Sequence, residues 1–187
     1  NKYYVVNPLN GNHKYDQINL MQKEWYYTVT DKLGKQTIQH VTIGQDTILY
    51  DTINGNQKYK LLYHNGVKDH YSLRWDVSGK LYRMYDVHRN PWEWLKRDTC
   101  IYDFTLKVGD KFSLPAGFKT ATVIQVDSIN LLDDKSRKRL ILRHDNTSNQ
   151  QKFGNLIWIE GIGSPNGLLY YRDWFNGTST SLNCYFD

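Results

Sequence analysis

The strongest constraint in this sequence is a period-two alternation of polarity, repeated in short runs and cut by turn-forming residues along the chain. Tyr59, Leu61 and Tyr63 point one way while Lys58 and Lys60 point the other. Tyr71, Leu73, Trp75 and Val77 alternate with Ser72, Arg74 and Asp76, and Ile124 and Val126 alternate with Gln125 and Asp127. A helix, with about 3.6 residues per turn, cannot hold such sets on one face, whereas a strand does so automatically. The runs are rich in Val, Ile, Thr, Tyr and Trp, whose branched or planar side chains fit a pleated surface. Between them lie Asp31-Lys32-Leu33-Gly34, Asn54-Gly55, Asn65-Gly66, Ser78-Gly79, Gly109-Asp110, Asp133-Asp134, Asn166-Gly167 and Asn176-Gly177. Each of these reverses a chain at low conformational cost.

Only Asp16 to Gln22 and Asn90 to Lys96 offer a helical turn or two, too short to stand alone. The expected fold is therefore all-β, an antiparallel meander closing as a barrel or as a two-sheet sandwich, with little helix. We find no internal repeat, low-complexity tract or linker. Residues 1–187 are expected to form a single domain, with Asn1 to Asn12 a loose N-terminal arm.

Composition sharpens this. The 15 Tyr and 6 Trp supply large amphipathic rings to a chain that is 40% hydrophobic. A mean hydropathy of -0.68, with no long apolar run, excludes a transmembrane helix. The net charge of +5 is spread among acidic residues over most of the chain, a pattern that does not point to nucleic acid. Two cysteines, Cys100 and Cys184, are too few for a thiolate zinc site. Cys100 shares a parity row with Tyr102 and Phe104, and Cys184 with Leu182 and Phe186. Two buried thiols are the expected state, with a Cys100–Cys184 disulfide the alternative.

Several motifs resemble sites of chemistry without the surroundings that chemistry needs. Leu156 to Gly163 is a strand-like run followed by Gly161-x-Gly163. A dinucleotide site requires a helix to open next, and Ser164-Pro165-Asn166-Gly167 follows instead. Those glycines are expected at a bulge or tight bend. The basic run Lys135-Ser136-Arg137-Lys138-Arg139 follows Asp133-Asp134 and leads into Leu140-Ile141-Leu142, which reads as a solvated hairpin end rather than a phosphate site. Histidines at 13, 40, 64, 70, 88 and 144 form no metal-ligand spacing. Ser164 lacks a nucleophile elbow. Glu93, Asp103 and Glu160 are the carboxylates that a glycosidase pair would draw on. No catalytic residue, metal ligand or cofactor is assigned.

The aromatic residues carry more information. Trp92 and Trp94 flank Glu93 after Asn90-Pro91, and Trp174-Phe175 precede Asn176-Gly177. Both groups fall in predicted loops, where a ring stacks on a sugar or a partner at small entropic cost. Trp92, Trp94, Trp174 and Phe175 are the candidate ligand-binding residues. The competing reading makes them lids on the end of the core.

The closing block Trp158-Ile159-Glu160-Gly161-Ile162-Gly163-Ser164, then Gly167-Leu168-Leu169 and Leu182-Asn183-Cys184-Tyr185, resembles a recurring C-terminal pattern. It is similar to that of secreted or lipid-anchored envelope proteins of Bacteroidetes-type bacteria whose activity is not known. Tyr102 to Asp110 matches an upstream block of the same pattern, as does Val126 to Ile129 with Arg137 to Leu140 after it. The resemblance covers roughly the second half of the chain and implies an exported all-β protein: cell-surface, outer-membrane-associated or periplasmic. Membrane attachment, in that reading, is through a lipid anchor outside these residues. The expected function is a non-catalytic envelope domain that binds a glycan or a protein partner. A small-molecule carrier using a barrel interior and a glycan-active hydrolase are the alternatives.

Overall fold

The computed structural model describes residues 4–6, 24–31, 33–52, 55–85, 98–114, 120–131, 135–148, 154–165 and 179–186. Twelve strands follow in order: β1 (Tyr4–Val6), β2 (Glu24–Thr30), β3 (Gln36–Thr52), β4 (Gly55–His64), β5 (Val67–Trp75), β6 (Lys80–Tyr85), β7 (Thr99–Asp103), β8 (Lys111–Ser113), β9 (Thr120–Asn130), β10 (Ser136–His144), β11 (Leu156–Ile159) and β12 (Ser179–Phe186). Among the described residues only Thr147 and Ser148 are helical. The fold is all-β, as the alternation requires.

The strands form two sheets. The larger runs β1-β12-β2-β3-β4-β5-β6-β7 and the smaller β11-β10-β9-β8. From β2 to β7, and again from β8 to β11, each strand pairs with its sequence neighbour, so both sheets are meanders. β12 returns to pair with β2, and β1 is parallel to β12 through Tyr4–Cys184, Val5–Tyr185 and Val6–Phe186. Tyr4 to Val6 is thus sheet rather than loose arm. The large sheet curls strongly into a half-barrel, an arrangement compatible with either expected closure.

Turn chemistry shows why the hairpins close where they do. Asp31-Lys32-Leu33-Gly34-Lys35 and Asp76-Val77-Ser78-Gly79-Lys80 are built alike. In each, the aspartate Oδ1 accepts backbone N–H groups two and four residues on. In each, the glycine takes a positive φ (80° at Gly34, 89° at Gly79), and its N–H donates to the aspartate carbonyl. Asn65 and Gly66, at φ 51° and 76°, make the tight two-residue turn their pairing predicts.

Both sheets contribute to one core. Trp25, Val41, Ile43, Leu62, Leu73, Leu81 and Tyr102 from the large sheet cluster with Phe112, Ala121, Val123, Leu140, Leu142, Leu156 and Trp158 from the small one. Trp158 is its hub. Its ring meets Tyr102 edge-on at 5.1 Å, Phe112 at 4.9 Å and Phe104 at 6.4 Å, the geometry the ring quadrupoles favour.

Bulges move some side chains off the expected face. The register slips between Leu61 and Tyr63 leave Leu62 in the core, while Tyr59 is buried elsewhere. Ile124 lies at a bulge opposite Ile141–Leu142, so Val123 and Val126 turn inward and Ile124 faces solvent. Ile101 is the extra residue where Leu81 pairs with Tyr102 and Tyr82 with Cys100. Cys100 therefore shares a face with Tyr82 rather than with Tyr102, and it is a free thiol.

Candidate functional site

Residues opposite each other in adjacent strands share a face, so the register identifies what the large sheet carries on the side turned from the core. Arg74 pairs with Tyr82, and Tyr82 with Cys100. Tyr59 lies one step from the Lys60–Leu73 pair, in line with Arg74. The next row holds Ser72 opposite Met84, with Asp98 one step before the Arg83–Thr99 pair. Around this cluster the face is nonetheless closed: Tyr59 is 0% exposed, and Ser72 and Met84 are each 1% exposed.

Arg74 is the centre of the cluster. Its Nη2 donates to Asp98 Oδ2, its Nε lies 3.4 Å from the Tyr59 hydroxyl, and its guanidinium carbon sits 4.1 Å from the Tyr82 ring centroid. Burial opposes the Arg74 charge, but the hydrogen bonds to Tyr59 and Asp98 outweigh it and hold its pKa above the ordinary value. Burial, reinforced by Asp98, raises the Tyr59 phenol well above its usual range. Burial and then the Asp103 charge push the Cys100 thiol up to about 12. A protonated thiol and a protonated phenol are poor nucleophiles.

A second group on the same face is open to solvent. Tyr26 stacks on His40 with ring centroids 4.3 Å apart and planes at 11°. Glu24 Oε2 accepts the Tyr26 hydroxyl at 3.1 Å and lies 3.1 Å from His40 Nε2. The His40 and Glu24 side chains are 33% and 41% exposed. Asn65 braces the arrangement from β4's turn, its Oδ1 accepting the His40 N–H at 2.8 Å. An aromatic pair with a fixed carboxylate beside it can take hydroxyl donors and apolar ring faces from a partner. Sequence reasoning missed this trio because its members, on β2 and β3, meet only through the Tyr26–His40 register.

The candidate residues Trp92, Trp94, Trp174 and Phe175, with Glu93, lie outside the described residues. The remaining candidates have structural partners. Asp103 Oδ1 accepts the Thr105 N–H and hydroxyl, and its Oδ2 is 3.4 Å from Lys80 Nζ. Glu160, beyond the end of β11, donates its N–H to the Lys138 carbonyl. The Ser164 N–H donates to the Tyr102 hydroxyl at 3.1 Å. Gly161 and Gly163, at φ 80° and 90°, make a tight bend closed by the Ile159–Gly163 bridge, as expected of them. Of the basic run, Lys135 precedes β10 and Ser136 to Arg139 open it. Arg139 forks onto Asp127 at 2.8 and 2.6 Å, and Lys138 Nζ reaches the Phe104 carbonyl.

Among the described residues no group of three or more His, Cys, Asp or Glu side chains is placed to hold a metal ion. No helix among them is long and apolar enough to cross a membrane. No protein-family model, curated protein or solved structure matches the chain.

Proposed function

We propose that this domain is a non-catalytic binding module of the bacterial envelope, taking a glycan or a protein partner on the outer face of its large sheet and on Trp92, Trp94, Trp174 and Phe175. The half-exposed Glu24–Tyr26–His40 trio carries the reading. Its side chains are held by one another, so little rotamer freedom is lost when a partner arrives. Trp92, Trp94, Trp174 and Phe175 supply further rings of the type that stacks on sugars. The envelope assignment, and a lipid anchor as the means of attachment, rest on the resemblance of the closing block.

Packing among the described core residues weighs against a carrier. Tyr102, Phe104, Phe112 and Trp158 occupy the space between the sheets that an apolar ligand would need. Titration of soluble envelope-type oligosaccharides against wild type, Tyr26→Ala and Glu24→Gln tests the proposal. Binding lost in both variants, with the fold retained, is the expected result. Equal binding in all three removes the trio from the site.

A further inference from the structure

β2 and β4 flank different parts of β3: β2 pairs with Gln36 to Thr42, and β4 with Val41 to Thr52. Gln36 to Gln39 therefore have β2 on one side and, among the described residues, no strand on the other. The hydrogen bonds show which residues use which side. The Asp31 N–H donates to the Lys35 carbonyl at 3.0 Å, and in an antiparallel ladder bonded pairs recur at every second step, here Val29–Thr37 and Tyr27–Gln39. Gln36, Ile38 and His40 lie between these pairs, so their N–H and C=O groups point away from β2. At His40 those groups are taken by the β4–β5 turn. The His40 carbonyl accepts the Asn65 N–H at 2.7 Å, and the His40 N–H donates to Asn65 Oδ1 at 2.8 Å. Beyond Asn65 the edge is open: Gln36 and Thr37 are exposed, and Ile38 is 61% exposed.

We infer that this edge takes an extended peptide segment of a protein partner, added as a strand beside Gln36 to Ile38 in line with β4. This rests on the reading of the outer face as a binding surface and commits its neighbouring edge to polypeptide. N–H and C=O groups that repeat every second residue are matched by another backbone. The incoming residue opposite Ile38 shares its face, as Thr28 does from β2, so an apolar or branched side chain there covers Ile38. The Tyr26–His40 stack is the next pair along that face and borders the same strand.

The test is amide hydrogen exchange, read residue by residue by NMR, with an end-blocked heptapeptide of alternating valine and threonine as the probe. In the protein alone the Thr37 and Gln39 amides exchange slowly and those of Gln36 and Ile38 fast. With peptide at about ten times its Kd, exchange at Gln36 and Ile38 is expected to slow about tenfold. The same peptide N-methylated throughout gives no slowing. Ile38→Pro removes one outward N–H, keeps every bond to β2, and abolishes the slowing at Gln36. Unchanged exchange at Gln36 and Ile38 overturns the inference, as does equal slowing by the methylated peptide, a result that needs no variant to fold. An oligosaccharide that shifts the Tyr26 and His40 signals, while the peptide leaves Gln36 and Ile38 unprotected, overturns the edge and leaves the outer-face reading standing.

Discussion

The indole N–H of Trp25 donates to the carbonyl of Ile162 at 2.9 Å, a buried hydrogen bond between residues 137 positions apart. It joins β2 of the curled sheet to the glycine bend that follows β11 in the small sheet. The Trp158 to Ser164 part of the closing block is thus core architecture. Trp158 is the aromatic hub, Ile162 accepts Trp25, and the Ser164 N–H meets the Tyr102 hydroxyl from the upstream block.

Removing only the Trp25 donor isolates that link. Trp25→Phe keeps most of the ring and leaves the Ile162 carbonyl buried without this donor, which costs about 1–3 kcal/mol. Urea denaturation should show a lower midpoint with an unchanged slope. An unshifted midpoint means the bond does not contribute.

Trp158→Ala empties the hub of the core. A buried aromatic truncated to alanine costs about 3–5 kcal/mol, because surrounding rings relax only partly into the space. Thermal unfolding followed by circular dichroism should place this variant well below Ile124→Ala, whose side chain faces solvent at its bulge.

The Arg74–Asp98 pair should be costly to break singly and cheap to replace jointly. Arg74→Met leaves the buried Asp98 carboxylate without its cation and is expected to lose about 3–5 kcal/mol, whereas Arg74→Met with Asp98→Leu recovers most of it. Equilibrium unfolding of both single variants and the double variant gives the coupling energy directly.

Stability should fall on both sides of neutrality. Burial holds the His144 pKa below 6.5, so the unfolded chain binds that proton more readily, and stability present above pH 6.5 is lost as pH falls through the depressed folded value. Asp127, hydrogen-bonded by Arg139 and Gln125, and Asp145, hydrogen-bonded by Thr122 and Thr120, have lowered pKa values. Their contribution is present above pH 3.8 and lost as pH falls through their folded values. Cys100 acts in the other direction: its pKa rises from 9.0 to about 12 on folding, so stability is lost as pH climbs from 9.0 toward 12. Denaturation midpoints across pH, with His144→Gln and Cys100→Ala as controls, should flatten the corresponding limbs.

The fold class was legible because its signals are local. Alternation along Tyr71 to Trp75 and the Asp-x-x-Gly turns act within a few residues, and Leu73 and Gly79 behave as those patterns demand, whereas Val77, placed on the same row by the alternation, is exposed in the turn after β5. Face assignments failed where a bulge intervened. Inserting one residue at Ile101 or Ile124 reverses the parity beyond it, and it is pairing with another strand that sets where the insertion occurs. The site was less legible for the same reason. Glu24, Tyr26 and His40 become neighbours only through β2–β3 register, and Tyr59, Arg74 and Asp98 only through four adjacent strands.

The central claim, a binding surface built from aromatic rings, is tested most directly by iodide quenching of intrinsic tryptophan fluorescence during oligosaccharide titration. Wild type is compared with Trp92→Ala, Trp94→Ala protein. The account predicts strong quenching in wild type, protection by the oligosaccharide, and loss of both in the variant without loss of stability. Weak quenching, no oligosaccharide response and a large fall in the variant's stability would contradict it, making those rings lids on the core.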